Sequence, residues 1–252
     1  MMRKRKGYPV YPLTAAQKFH FFYQNFCPKK EVLNVGTSLT IEAELDMEVL
    51  KASICKAYER CECLRVRFAA DKEGTWYQYV VNTEEGRPDV ELMDFSAGTM
   101  EEAEKTMTEW SAVPFKPQDS PMSRIVMIKM PDGFQGVYLL VDHRIMDAQS
   151  LICLLRDVIE LYCSVKFEYP YPLDMRSFTE QLEKDLAYEA GSKAQARDRE
   201  YFQNLIAESE PIFNGIQGPG QLEEARKKFP GTRAAFSATR EVDSALDIFH
   251  LE

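Results

Sequence analysis

The sequence predicts an α/β domain in which helices pack on a mixed sheet. Three observations lead there. Strand-like and helix-like periods follow one another along most of the chain. Two tight turns, Asp71-Lys72-Glu73-Gly74 and Pro131-Asp132-Gly133, each separate two strand-like runs, as hairpins do. Val137 to Val141 is apolar at every position, so this strand is expected to be central and covered on both faces.

The first helix signal follows Tyr8. Thr14 with Gln17 three positions later forms a capping box, and Phe19, Phe22, Tyr23 and Phe26 recur at helical spacing as one aromatic face. That face is expected to be core. Asn34 to Ala43 is rich in Val, Thr and Ile and predicts a strand. Asp46 caps a helix whose buried stripe is Met47, Leu50, Ile54, Ala57, Tyr58 and Cys61. Leu64 to Ala70 and Trp76 to Val81 predict a hairpin, and Val90 to Phe95 a short strand. Thr99 caps a helix to about Val113. Met122 to Met130 and Phe134 to Val141 form the second hairpin, and a helix then carries Leu151, Leu154, Leu155, Val158 and Tyr162 on one face. Tyr169 to Pro172 is a loop, Ser177 to about Ala207 is helical with a break near Gly191, and Asn214 to Gly220 is a second loop. A strand is expected near Ala234 to Thr239.

Bulk properties narrow the function. The 252 residues make one large domain or two small ones. A net charge of -9 argues against a nucleic-acid binder, which needs a basic face. The one basic run, Arg3 to Lys6, is expected to be a solvated tail. No apolar run is long enough to span a bilayer, and no secretory h-region follows the N-terminus. Six cysteines without a Cys-x-x-Cys pair, and three histidines off ligand spacing, argue for reduced thiols in a cytoplasmic protein and against zinc.

Chemistry concentrates after the central strand. His143 stands where a rigid strand ends, and its ordinary pKa suits a general base. Asp147, four positions on, either braces the loop through an ion pair with a buried Arg or simply caps the next helix. On spacing alone, His143 is either a base or a polar residue at a strand end.

His143-Arg144-Ile145-Met146-Asp147-Ala148 resembles the His-x-x-x-Asp-Gly motif of the coenzyme A-dependent acyltransferase superfamily, whose members include chloramphenicol acetyltransferases, dihydrolipoamide acyltransferases and the condensation domains of nonribosomal peptide synthetases. Arg60 to Phe68 is similar to the condensation-domain stretch Arg-His-Glu-x-Leu-Arg-Thr-x-Phe, and Leu13-Thr14-Ala15-Ala16-Gln17 to that family's opening motif. The three occur in the family's order over residues 10–210. The resemblance implies the N-terminal lobe of a condensation domain. It also implies a chloramphenicol acetyltransferase-like fold with a mostly antiparallel sheet. Residues 1–9 are then a basic tail, and residues 211–252 a loop and the start of a second lobe or an inter-lobe connection.

The implied roles are His143 as catalytic base, with Asp147, Arg65 and Asp142 supporting it, Arg65 by pairing with Asp147. The implied substrate is an acyl group on phosphopantetheine, carried by a carrier protein or CoA and passed to an amine or hydroxyl. No tightly bound cofactor and no metal are implied. The sequence departs from the pattern at three places. Asp142 stands where condensation domains carry a first His, Ala148 replaces the Gly, and Phe19 replaces an Arg. Asp-His-Arg is instead similar to the dihydrolipoamide acyltransferases. Condensation domains resemble two such lobes with a tunnel between. The chain is therefore expected to be a fragment of a longer protein. Two alternatives are an oligomer whose neighbour supplies the other wall, in the manner of the trimeric lipoamide enzymes, and a non-catalytic module that binds carriers or partners.

Overall fold

The structure is a computed structural model and describes residues 4–208. Residues up to Asp198 make one compact unit, and from Arg199 the chain belongs to a second. The expected loop at 214–220, the strand at 234–239 and the domain boundary near 210 lie outside the described residues. No helix among the described residues is long and apolar enough to cross a membrane.

Among the described residues nine strands and six α-helices form, and from the first helix onward they follow the expected order, while the three short strands before it are not expected from the sequence. They are β1 (Lys4–Arg5), β2 (Tyr8–Pro9), β3 (Tyr11–Pro12), α1 (Ala15–Phe26), β4 (Asn34–Ile41), α2 (Met47–Arg60), β5 (Val66–Ala70), β6 (Trp76–Val80), β7 (Glu91–Asp94), α3 (Met100–Ser111), β8 (Ser123–Lys129), β9 (Gln135–Asp142), α4 (Ala148–Lys166), α5 (Phe178–Glu189) and α6 (Lys193–Glu208). The main sheet has the order β4-β9-β8-β7, antiparallel except for the parallel β7–β8 pair. A second sheet, β3-β6-β5, is wholly antiparallel.

Strand β9 is central, as its unbroken apolar run requires. Val137, Leu139 and Val141 face the larger core with α2 and α4, while Tyr138 and Leu140 face a smaller core with Ala103 of α3. Leu139 is fully buried, a contribution of roughly 1.5–3 kcal/mol. Gly136 makes the close β4–β9 approach possible. A Cβ built there would lie 1.9 Å from the Leu39 carbonyl oxygen.

Local chemistry sets the helix starts. Thr14–Gln17 and Thr99–Glu102 both form full capping boxes. Asp46 caps α2 and Asp147 caps α4, each accepting from the backbone N–H three residues on. Gly191, at φ +103°, separates α5 from α6, where the sequence places a break.

Three expectations need correction. The strand expected from Leu64 starts at Val66, because Glu62–Arg65 winds into a 3-10 turn with the Leu64 N–H on the Cys61 carbonyl. The aromatic face of α1 is not core. Phe19 is 60% and Phe26 71% exposed, because α1 turns Gln17 and Phe21 inward instead. The basic N-terminal run is no free tail, since Arg5 belongs to the β1–β2 hairpin and its Nε donates to Asp119 at 3.0 Å.

Asp119 also accepts from the Tyr79 hydroxyl at 2.7 Å. The Arg5 guanidinium first, then these other donors, hold its carboxyl at about 2 against the penalty of partial burial. A carboxyl depressed on folding stabilises fully above its unfolded pKa and loses that contribution as pH falls through the folded one. Asp119→Asn is therefore expected to flatten the fall in unfolding free energy between about pH 4 and pH 2, measured by urea titration, relative to wild type. Gly136→Ala is expected to cost more than the ~1–3 kcal/mol of ordinary overpacking, since it meets backbone rather than side chain; its urea midpoint reports this.

Candidate active site

The turn after β9 is built around a buried ion pair. Arg144 Nε and Nη2 donate to Asp142 Oδ1 and Oδ2 at 2.7 and 2.6 Å, and the Arg144 backbone N–H adds a third bond to Oδ1 at 2.9 Å. The two side chains are 0% and 1% exposed. The guanidinium lies 4.4 Å from the ring centre of Phe21 and 5.9 Å from that of Phe68.

His143 stands between these two buried residues and is exposed. The strand ends at Asp142, and in the turn that follows His143 is exposed while Arg144, Ile145 and Met146 are buried. Its backbone N–H is fixed on the Leu33 carbonyl at 2.8 Å, and the Ile145 N–H closes the turn on the Asp142 carbonyl at 3.0 Å.

All three sequence stretches meet here. Gln17 of α1 donates to the Arg144 carbonyl at 3.3 Å, forms a reciprocal amide pair with the buried Gln78 at 2.7 and 2.8 Å, and accepts from the Thr14 N–H. Phe68 supplies part of the aromatic bed under Arg144.

The expected Arg65–Asp147 pair is not formed. Asp147 accepts from the Ser150 N–H at 2.8 Å as the α4 cap; the Ser150 donors hold its carboxyl below the ordinary range, with a smaller contribution from His143. Arg65 instead donates to the carbonyls of Val81 at 2.7 Å and Glu59 at 3.5 Å. Gly86 lies against the Arg65 stem, so closely that a Cβ there would meet its Cγ at 2.5 Å. The rest of that stretch is scaffold. Arg60 grips Asp157 of α4 with two bonds, at 3.1 and 3.2 Å. Glu62 accepts from Ser177 and Thr179 at the start of α5. Burial opposes the Glu62 charge, but these donors outweigh it and lower its pKa.

One site residue escapes the sequence reading. The His20 ring lies 4.8 Å from that of His143, centre to centre. Its Nδ1 is buried without a hydrogen-bond partner. Burial first, then the His143 charge, lowers its pKa, so His20 is neutral at neutral pH. Gln17, His20, Phe21 and Gln24 recur at helical spacing and would have marked the inner face, had polar residues been allowed on it.

A family model described as Condensation domain matches residues 9–252. A polyketide synthase-nonribosomal peptide synthetase of Aspergillus clavatus is 27% identical over 185 residues, which is 73% of this chain and 4% of that protein. The first condensation domain of the calcium-dependent antibiotic synthetase, solved with a substrate analogue, superposes with a TM-score of 0.65 at 25% identity, over 81% of this chain and 50% of that one. A variant of the starter condensation domain of rhizomide synthetase RzmA, solved with C8-CoA, gives a TM-score of 0.72 at 21% identity, over 83% of this chain and 48% of that one. The chain thus spans about half the length of these solved domains.

Removing one partner of the buried pair leaves the other charged and alone. Asp142→Ala is expected to destabilise by ~3–5 kcal/mol. The double variant Asp142→Leu/Arg144→Met should recover much of that loss in urea unfolding, because no buried charge remains.

Proposed function

The chain belongs to the condensation-domain family, and on that premise we propose that it provides the N-terminal half of an acyl-transfer site with His143 as general base. The observation that carries this reading is the presentation of His143. Its backbone is locked between two buried residues at the end of a doubly covered strand, while its imidazole stays accessible. Such a group has its approach geometry set by the fold and not by loop motion.

The reaction is attack by an amine or hydroxyl on the carbonyl of an acyl thioester carried on phosphopantetheine, either of a carrier protein or of CoA. His143 takes the acceptor's proton as the new C–N or C–O bond forms. Collapse of the tetrahedral intermediate breaks the C–S bond, and the proton passes to the leaving thiolate. Asp142 supports the base indirectly, by holding Arg144 and so the turn. Asp147 does so by starting α4 immediately after it. Arg65 shapes the turn before β5 and does not reach the motif. The opposite wall of the site comes from a second lobe or another subunit, and the exposed side of α1 with Phe19, Phe22 and Phe26 is apolar enough to meet it.

A second reading is a non-catalytic module that docks carriers or partners. It is favoured by Asp142, which fills the place of a first imidazole and is fully committed to Arg144.

One experiment separates the two. In the smallest assembly that condenses an acyl-pantetheine thioester with an amine, His143→Ala is expected to cut turnover by ~10²–10⁴-fold with an unchanged thermal midpoint, since the side chain is exposed. An unchanged rate removes the base. If no assembly that contains the wild-type chain turns over while the chain still binds an acyl-carrier protein, the docking reading holds instead.

A further inference from the structure

We propose that the cavity beneath the loop before β7 is an oxyanion-binding site, built on Arg67, for the carboxylate or phosphate group of a small molecule. The cavity holds about 290 Å³ and is bounded by Tyr58 of α2, Arg67 of β5, Arg87 of the loop, and Ser123 and Arg124 of β8.

Arg67 is the anomaly that points to a guest. It is 5% exposed, yet among the described residues it has no ion-pair partner. Among the described residues its hydrogen bonds run from Nη1, to the carbonyls of Leu64 at 3.3 Å and Val66 at 2.9 Å. Arg67 lines the cavity, and among the described residues its Nε and Nη2 make no hydrogen bond within the protein. Burial lowers its pKa; Tyr79, Glu85 and Tyr58 oppose this only through space. An unpaired buried cation is costly, and an anion seated on the free edge of the fork offsets that cost with charge-assisted bonds.

The rest of the wall fits the same chemistry. Tyr58 donates its hydroxyl to Ser123 Oγ at 3.1 Å, which leaves the Ser123 proton free for a guest. Arg87 stands exposed at the rim, without an ion pair among the described residues. Two carboxylates also border the cavity. Glu91 is neutralised by Arg124 at 3.3 Å, and Asp89 is exposed and faces water. Arg124 is otherwise stacked over Trp110 at 4.7 Å and is not the receiving group. The planar guanidinium fork matches carboxylate and phosphate oxygens, and chloride cannot reproduce that two-point contact.

The test is thermal unfolding of the full chain in inorganic phosphate, acetate or chloride at one fixed ionic strength, which removes general screening. Phosphate or acetate is expected to raise the midpoint saturably above chloride, and the stronger of the two names the group recognised. Arg67→Met should abolish the shift, while Ser123→Ala and Arg87→Gln should each weaken the apparent affinity several-fold. If Arg67→Met does not fold, the other two variants decide. Equal midpoints in all three salts overturn the proposal. So does a shift of unchanged size and affinity in Arg67→Met, or in both Ser123→Ala and Arg87→Gln.

Discussion

The Asp142–Arg144 ion pair is the constraint on which the rest of the site depends. Two opposite charges at full burial pay a desolvation cost that a single contact does not repay. Here the carboxylate receives two side-chain bonds and one backbone bond, and the guanidinium lies over two aromatic rings. The result is a turn with one stable geometry. His143 sits in the turn between these two buried residues and is itself exposed. The turn that presents His143 is thus held by a buried polar pair and by the backbone bonds of His143 to Leu33 and of Ile145 to Asp142.

That pair needs a frame, and the three sequence stretches supply it from separate parts of the chain. Gln17 ties the start of α1 to the Arg144 carbonyl and, through Gln78, to β6. Phe68 brings β5 beneath the guanidinium. Arg60 joins α2 to α4, the helix that begins at Asp147. The stretch from Arg60 to Phe68 therefore acts on the site through packing at both ends of the His143 turn. Its distance from His143 does not make it dispensable to the geometry of that turn, which it holds by packing.

Most of the fold was legible because it rests on local rules. Capping boxes at Thr14 and Thr99, the break at Gly191 and the doubly apolar β9 are each settled within a few residues, and each stands where the sequence places it. What was not legible is the choice of partner across space. Arg65 and Asp147 have the right charges, but each finds a nearer backbone group, and the pair in the motif forms between Asp142 and Arg144. Periodicity likewise reveals that α1 has two faces without saying which is buried. The aromatic residues suggested the wrong one, because the burial of Gln17 depends on Gln78, some sixty residues away.

Two arginines buried among the described residues, Arg67 and Arg144, show how unequal the same residue type is in one fold. Arg144 is matched by a carboxylate two residues away, which receives Nε and Nη2 and neutralises the charge, although its Nη1 is buried without a hydrogen-bond partner among the described residues. Arg67 is matched only by carbonyls of its own neighbourhood, which carry partial charge and engage one nitrogen. Both are nearly inaccessible, so burial alone cannot distinguish structure from binding. The distinction lies in whether the charge is answered inside the protein. Where it is answered, the arginine holds a shape. Where it is not, and a cavity opens beside it, there is room for an answering charge from outside.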